Sequence, residues 1–156
     1  MNSPFSFTSH YILDKTYFSE CFDESVTIDH SFKAYYKAIG FFLVGTALLF
    51  TGTNAYASLF LVGLGALEML SIKYKKTWWL WRQMMSKAAN NDVELTIDEQ
   101  GISSNSFYVD STVLWNEISE LTITSKGFLI KHSNGVSYIS KRSLDTAAIE
   151  FISSKT

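Results

Sequence analysis

Three histidines and one cysteine, His10, His30, His132 and Cys21, are the side chains with the first claim to metal or nucleophilic chemistry. None stands at ligand spacing from another, so no metal site is expected, and the lone thiol excludes a disulfide scaffold. The chain has no G-x-x-x-x-G-K-[ST], no G-x-S-x-G and no H-E-x-x-H. Gly63, Leu64 and Gly65 lie within a long apolar run and cannot form a phosphate loop. Serines are plentiful, but none sits beside a candidate base. Neither a catalytic constellation nor a cofactor is predicted, and a net charge of -2 excludes a globally basic nucleic-acid binder. Two weaker candidates remain. Glu68 is an acid within an apolar segment, where a carboxylate is a candidate proton relay. Lys141 and Arg142 stand at a strand-to-helix turn, where two cations and free N–H groups could meet an anionic headgroup.

The elements that would position these residues are of two kinds. The composition is 47% hydrophobic and only 18% charged, against about 25% charged in an ordinary soluble domain. The imbalance is concentrated in Ala38 to Leu67, where the only ionisable group is the Tyr56 phenol. A membrane span takes roughly 20 residues. Thr51, Gly52, Thr53 and Asn54 divide the run with turn-forming residues, which predicts two spanning helices, Phe32 to Thr51 and Ala55 to Ile72. A chain this small has too little remaining surface to bury both helices all round in a soluble core.

Lys33 and Lys37 precede the first helix, Lys73, Lys75, Lys76, Arg82 and Lys87 follow the second, and the tip carries no basic residue. The positive-inside rule then puts both chain ends in the cytoplasm. With Trp78, Trp79 and Trp81, the cations Lys73, Lys75, Lys76 and Arg82 are read as a lipid-interface group. Glu68, close to that boundary, can snorkel or pair with a basic neighbour. No basic n-region or cleavage site precedes the apolar run, so the spans are expected to persist in the mature protein. Small residues at Gly45, Gly52, Ser58 and Gly65 predict a close helix–helix seam, Gly52 facing Ser58 and Gly45 facing Gly65 about an axis at Ala55.

The remainder reads as mixed α and β. Phe5, Phe7, Tyr11 and Leu13 on odd positions suggest a short strand, followed by a helix capped by Asp14 with Tyr17, Phe18, Cys21 and Phe22 on its apolar face. Cys21 on that face reads as a small hydrophobe. After Asn91 come six short strands with turns at Asp98 to Gly101, Ser125 to Gly127 and Asn134-Gly135. A closing helix capped by Ser143, with Asp145 in its first turn, carries Leu144, Ala147, Ala148, Phe151 and Ile152 as an apolar stripe. The expected organisation is residues 1–31 as a strand and short helix packing with the C-terminal domain, 32–89 as a transmembrane hairpin with a cytoplasmic helical extension, and 92–156 as a small antiparallel β-roll like that of a pleckstrin-homology (PH) domain, closed by its helix.

This order of parts, with DEQGI at Asp98 to Ile102, WNEI at Trp115 to Ile118 and YISKRSLDTAAIEF at Tyr138 to Phe151, resembles the YcxB-like family of small bacterial membrane proteins. Ser140 stands where that pattern has a proline before the Lys-Arg pair. The resemblance implies an α+β membrane protein with a two-helix hairpin and a PH-like domain, and implies no reaction. The function expected is a non-enzymatic inner-membrane protein tethering a module that docks a protein partner or an anionic headgroup. The alternative is an oligomeric transporter or channel component using Glu68.

Overall fold

The computed structural model describes residues 4–27 and 31–156; His30 and Ser3 lie outside them. The chain divides into two compact units, one formed by Met1–Thr27 with Leu80–Thr156 and the other by Ile28–Trp79.

In the first unit, β1 (Ser6–Ile12) pairs antiparallel with β2 (Asp92–Asp98) along its whole length, from Ser6 opposite Asp98 to Ile12 opposite Asp92. The sheet continues through β3 (Gly101–Asn105) and β4 (Asp110–Leu114) in the order β1-β2-β3-β4. A second sheet holds β5 (Ile118–Ile123), β6 (Gly127–His132) and β7 (Gly135–Ser140). Alternation places Leu95, Ile97 and Ile102 of one sheet in a common core with Phe128, Ile130 and Ile139 of the other. Ala148 and Ile152 of the last helix, Thr146–Ser153, close that core. Phe151 of the same helix stacks on Phe5 at 4.1 Å between ring centres and meets Trp115 edge-on at 5.9 Å.

The helices follow in chain order: α1 (Lys15–Ser25), α2 (Tyr36–Thr51), α3 (Ala55–Lys73), α4 (Lys75–Met84) and α5, the closing helix. Asp14 caps α1, accepting from the Tyr17 amide at 2.7 Å. The cap of α5 is Asp145, which accepts from the Ala148 amide at 2.7 Å, not Ser143. Ser143 instead ends a single 3-10 turn, Lys141–Ser143, and donates to the Ser140 carbonyl. The reason is the extended Leu144 that separates this turn from α5 and moves the first free amides two residues along.

Strand β1 is tied to the returning chain beyond its end. Leu13 donates to the Asn91 carbonyl and Asn90 donates to the Leu13 carbonyl, with Asn90 in the left-handed region at φ 61°, a conformation that asparagine tolerates better than most residues. The segment from Leu80 onward clusters with this unit. The helical extension placed with the hairpin on sequence grounds is therefore divided between the two units.

In the second unit a 3-10 turn, Phe32–Tyr35, leads into α2, and α2 and α3 form an antiparallel hairpin. Two segments, Phe32–Thr51 and Ala55–Lys73, are long and apolar enough to cross a membrane. Asn54 caps α3, accepting from the amides of Tyr56 and Ala57, while the Thr51 hydroxyl donates to Leu48 of α2. Gly45, Ser58 and Gly65 are buried in the helix pair. Their register differs from the expected one: a Cβ on Gly45 would lie 2.9 Å from Val62 Cγ2 and 3.0 Å from the Ser58 carbonyl, and one on Gly65 would lie 2.8 Å from Phe42 and 3.0 Å from the Ala38 carbonyl. The pairing axis falls at the turn itself, not at Ala55, because α3 already starts there.

Gly52 is not part of the seam. It ends α2 with φ +66° and has open space around it, so glycine is favoured by the backbone and not by packing. Gly52→Ala is expected to cost about 1–2 kcal/mol through strain alone. Gly45→Leu should separate α2 from α3, whereas Gly63→Leu, where a Cβ meets nothing within 4 Å, should not. Cross-linking yield between cysteines placed on the two helices reads the difference.

Candidate functional site

The most ordered polar cluster centres on a residue to which the sequence gives little prominence. Glu20 projects from α1, three residues after Tyr17 and beside the apolar face formed with Phe18 and Phe22, and is only 7% exposed. Its Oε1 accepts from the Tyr138 hydroxyl at 2.7 Å and the Ser140 hydroxyl at 2.6 Å, and its Oε2 lies 3.0 Å from the Arg142 guanidinium. Tyr17 donates to the Tyr138 carbonyl at 2.7 Å. A buried carboxylate needs this many partners. The only advance signal was a charged residue at i+3 from a tyrosine on the edge of an amphipathic stripe.

Burial, reinforced by the Glu20 hydrogen bond and charge, raises the pKa of Tyr138, and burial raises those of Tyr17 and Tyr11. All three phenols therefore stay protonated at neutral pH, and those of Tyr17 and Tyr138 act as donors. Burial also raises the Cys21 thiol, keeping it in the unreactive form. Beside the cluster is a pocket of about 350 Å³ lined in part by His10, Asp14, Tyr17, Arg142 and Ser143. Its charges are already engaged: His10 Nδ1 lies 3.0 Å from Asp92, Asp14 caps α1 and Arg142 faces Glu20.

Lys141 and Arg142 diverge. Lys141 donates to the Thr124 carbonyl at 2.6 Å and lies over the Phe128 ring, while Arg142 turns to Glu20. The two cations are held by different elements and do not converge on one anion. Lys73, the last residue of α3, lies over the Tyr74 ring, and Lys75, Lys76, Trp78, Trp79, Trp81 and Arg82 run along α4, with Trp78 and Trp81 exposed. Glu68 is half-buried on α3. Among the described residues, no cluster of His, Cys, Asp and Glu could hold a metal ion.

The three quoted sequence stretches prove to be structural joints. Asp98 accepts from the amides of Gln100 and Gly101, and its carbonyl accepts from the Trp115 indole at 2.8 Å. Gly101 sits where a Cβ would lie 2.3 Å from the Val113 carbonyl. Ser140 both donates to Glu20 and accepts from the Arg142 amide, a dual role that proline could not fill. Residues 97–155 match the family model described as YcxB-like protein. This segment is YcxB-like. No curated protein matches the chain. Among solved structures, the MyTH4-FERM MF2 domain of Dictyostelium discoideum myosin VII, mutant 1, aligns at 12% identity over 91% of this chain and 38% of that one, with a TM-score of 0.29. An overlap at that score carries no argument.

The YcxB-like segment and α1 are thus joined by a carboxylate that is held from three side chains. Arg142→Ala is expected to destabilise the first unit by about 1–3 kcal/mol, less than a fully buried pair because the guanidinium is half exposed, and Tyr138→Phe by about 1.5–3 kcal/mol. Thermal melting in detergent checks both.

A second contact joins α1 to the β5–β6 turn. Hydrogen bonds from Thr124 and then Ser125, with the Lys126 amide and charge, hold the Glu24 carboxyl below its ordinary pKa. The folded state therefore binds this proton less readily, so the contact stabilises above the ordinary carboxylate range and is lost as pH falls through the lowered value. Glu24→Gln should be less stable at neutral pH and show a shallower loss on acidification, read as unfolding midpoint against pH.

Proposed function

We propose that this is a multi-pass cytoplasmic-membrane protein whose hairpin tethers a non-catalytic, PH-like docking domain, with both termini on the cytoplasmic side. The observation that carries the reading is the combination of an apolar hairpin with outward-facing Leu43, Phe50 and Phe60, 66%, 88% and 67% exposed, and a folded unit assembled from the sequence on both sides of it. Apolar side chains around two whole helices call for a non-aqueous surrounding. Strands β1 and β2 pair throughout although the hairpin lies between them in sequence, so the chain leaves and returns to one unit, which supports placing both ends on one side. The lysines and arginine after α3, and a tip without basic residues, supply the orientation.

The PH-like reading is supported by two antiparallel sheets of four and three strands around one core, closed by a C-terminal helix. Docking is favoured over catalysis because the buried Glu20 carboxylate already accepts from Tyr138 and Ser140 and pairs with Arg142. A protein partner is favoured over an anionic headgroup because Lys141 and Arg142 are each used internally.

The topology is tested with Cys21 replaced by serine and a single cysteine introduced at Thr53. A membrane-impermeant thiol reagent added to intact cells should label it, and should label Ser154→Cys only after lysis. The reverse pattern would overturn the orientation.

A further inference from the structure

We propose that the free edge of β5 binds an extended segment of another polypeptide as an added strand, with one of its apolar side chains entering the groove beside α5 and a carboxylate meeting Lys155. This rests on the docking reading above and names the surface that performs it. Among the described residues β5 pairs only with β6, and β5 is an outer strand of its sheet, so its other side presents backbone N–H and C=O groups that an extended chain satisfies.

The side chains at this edge specify more than a strand. The register slips between Ile118 and Glu120, so Ser119 is an extra residue, and Ile118 and Leu121 both turn to the core face despite their three-residue spacing. They are only half covered there, and with Trp115 and the residues just past α5, Lys155 and Thr156, they border a groove of about 240 Å³. Past the bulge, Glu120 to Ile123 form a continuous ladder with Lys131 to Phe128. A strand added along this stretch would direct alternate side chains to the same face as Leu121 and Ile123, continuing the apolar layer between sheet and helix. The charge at the groove is also defined. Lys155 Nζ lies 5.0 Å from the Phe151 ring centre and 5.7 Å from that of Trp115, which holds an exposed ammonium over the groove rim and favours an acidic residue in the incoming segment. Glu120 is paired with Lys131 at 3.7 Å, so the opposing acid is partly neutralised. The other outer strand beside it in sequence, β4, carries the exposed Asp110, Ser111 and Thr112.

The test selects a displayed library of random dodecapeptides against the intact protein in lipid nanodiscs, then follows amide exchange with the selected peptides bound. The expected peptides alternate apolar and polar residues, carry Asp or Glu, and slow exchange across Ile118–Ile123. Lys155→Glu should weaken them about tenfold, the size of one charge-assisted contact, while leaving exchange elsewhere unchanged. Backbone N-methylation of the peptide on alternate residues should abolish binding.

Peptides that protect other amides would overturn the edge site and leave the docking reading standing, whereas failure to enrich any peptide would count against both. Unchanged affinity in Lys155→Glu would overturn the acidic preference. Concentration-dependent protection of Ile118–Ile123 without peptide would show that a second copy of the chain occupies the edge.

Discussion

Pairing between Ser6–Ile12 and Asp92–Asp98 is the constraint on which the rest of the structure depends. Neither segment is stable by itself, since an isolated strand leaves its backbone groups to water and buries little apolar surface. Joined, they form one end of the four-stranded sheet and bring Phe5 against Phe151, so that the C-terminal helix is held from both ends of the sequence. In sequence, the hairpin is consequently inserted between the two segments that build the folded unit. The paired bonds between Leu13 and Asn90–Asn91 extend that pairing past the end of β1.

Around that pairing the polar groups act as fasteners. Glu20 binds α1 to β7 and its following turn, Glu24 binds the same helix to the β5–β6 turn, and the Trp115 indole binds the turn between β4 and β5 to the end of β2. The two contacts of α1 join segments more than 100 residues apart in sequence, and each satisfies a group whose isolation would be costly. Within the YcxB-like segment, Tyr138, Ser140 and Arg142 are the side chains that hold the N-terminal helix through Glu20. Among the described residues, β5 is an outer strand of its sheet with one edge unpaired.

Local chemistry was legible in the sequence where its cause is local. An apolar run of this length, divided by Thr51 to Asn54, fixes two helices and a turn, and the same residues cap the helices in the structure. Period-two alternation and the Asn134-Gly135 turn located the strands. Asp14 announced the start of α1. Gly45, Ser58 and Gly65 were recognisable as small residues for a close helix contact, yet their partners were misjudged by about one helical turn because the turn geometry, and not the spacing of small residues, sets the register of an antiparallel pair.

By itself, then, the sequence determined which segments are helix, strand and apolar hairpin, because periodicity and hydropathy are properties of neighbouring residues. Only the tertiary structure decided that Glu20 is buried among Tyr138, Ser140 and Arg142, that Lys141 and Arg142 part company, that Asp145 and not Ser143 starts the last helix, and that β5 keeps an open edge beside a groove. The Glu20 cluster depends on residues about 120 positions apart meeting in space. A charge at the border of a helical stripe reads the same whether it will face water or a partner brought to it by the fold, and the burial that distinguishes the two cases exists only once the sheet has assembled.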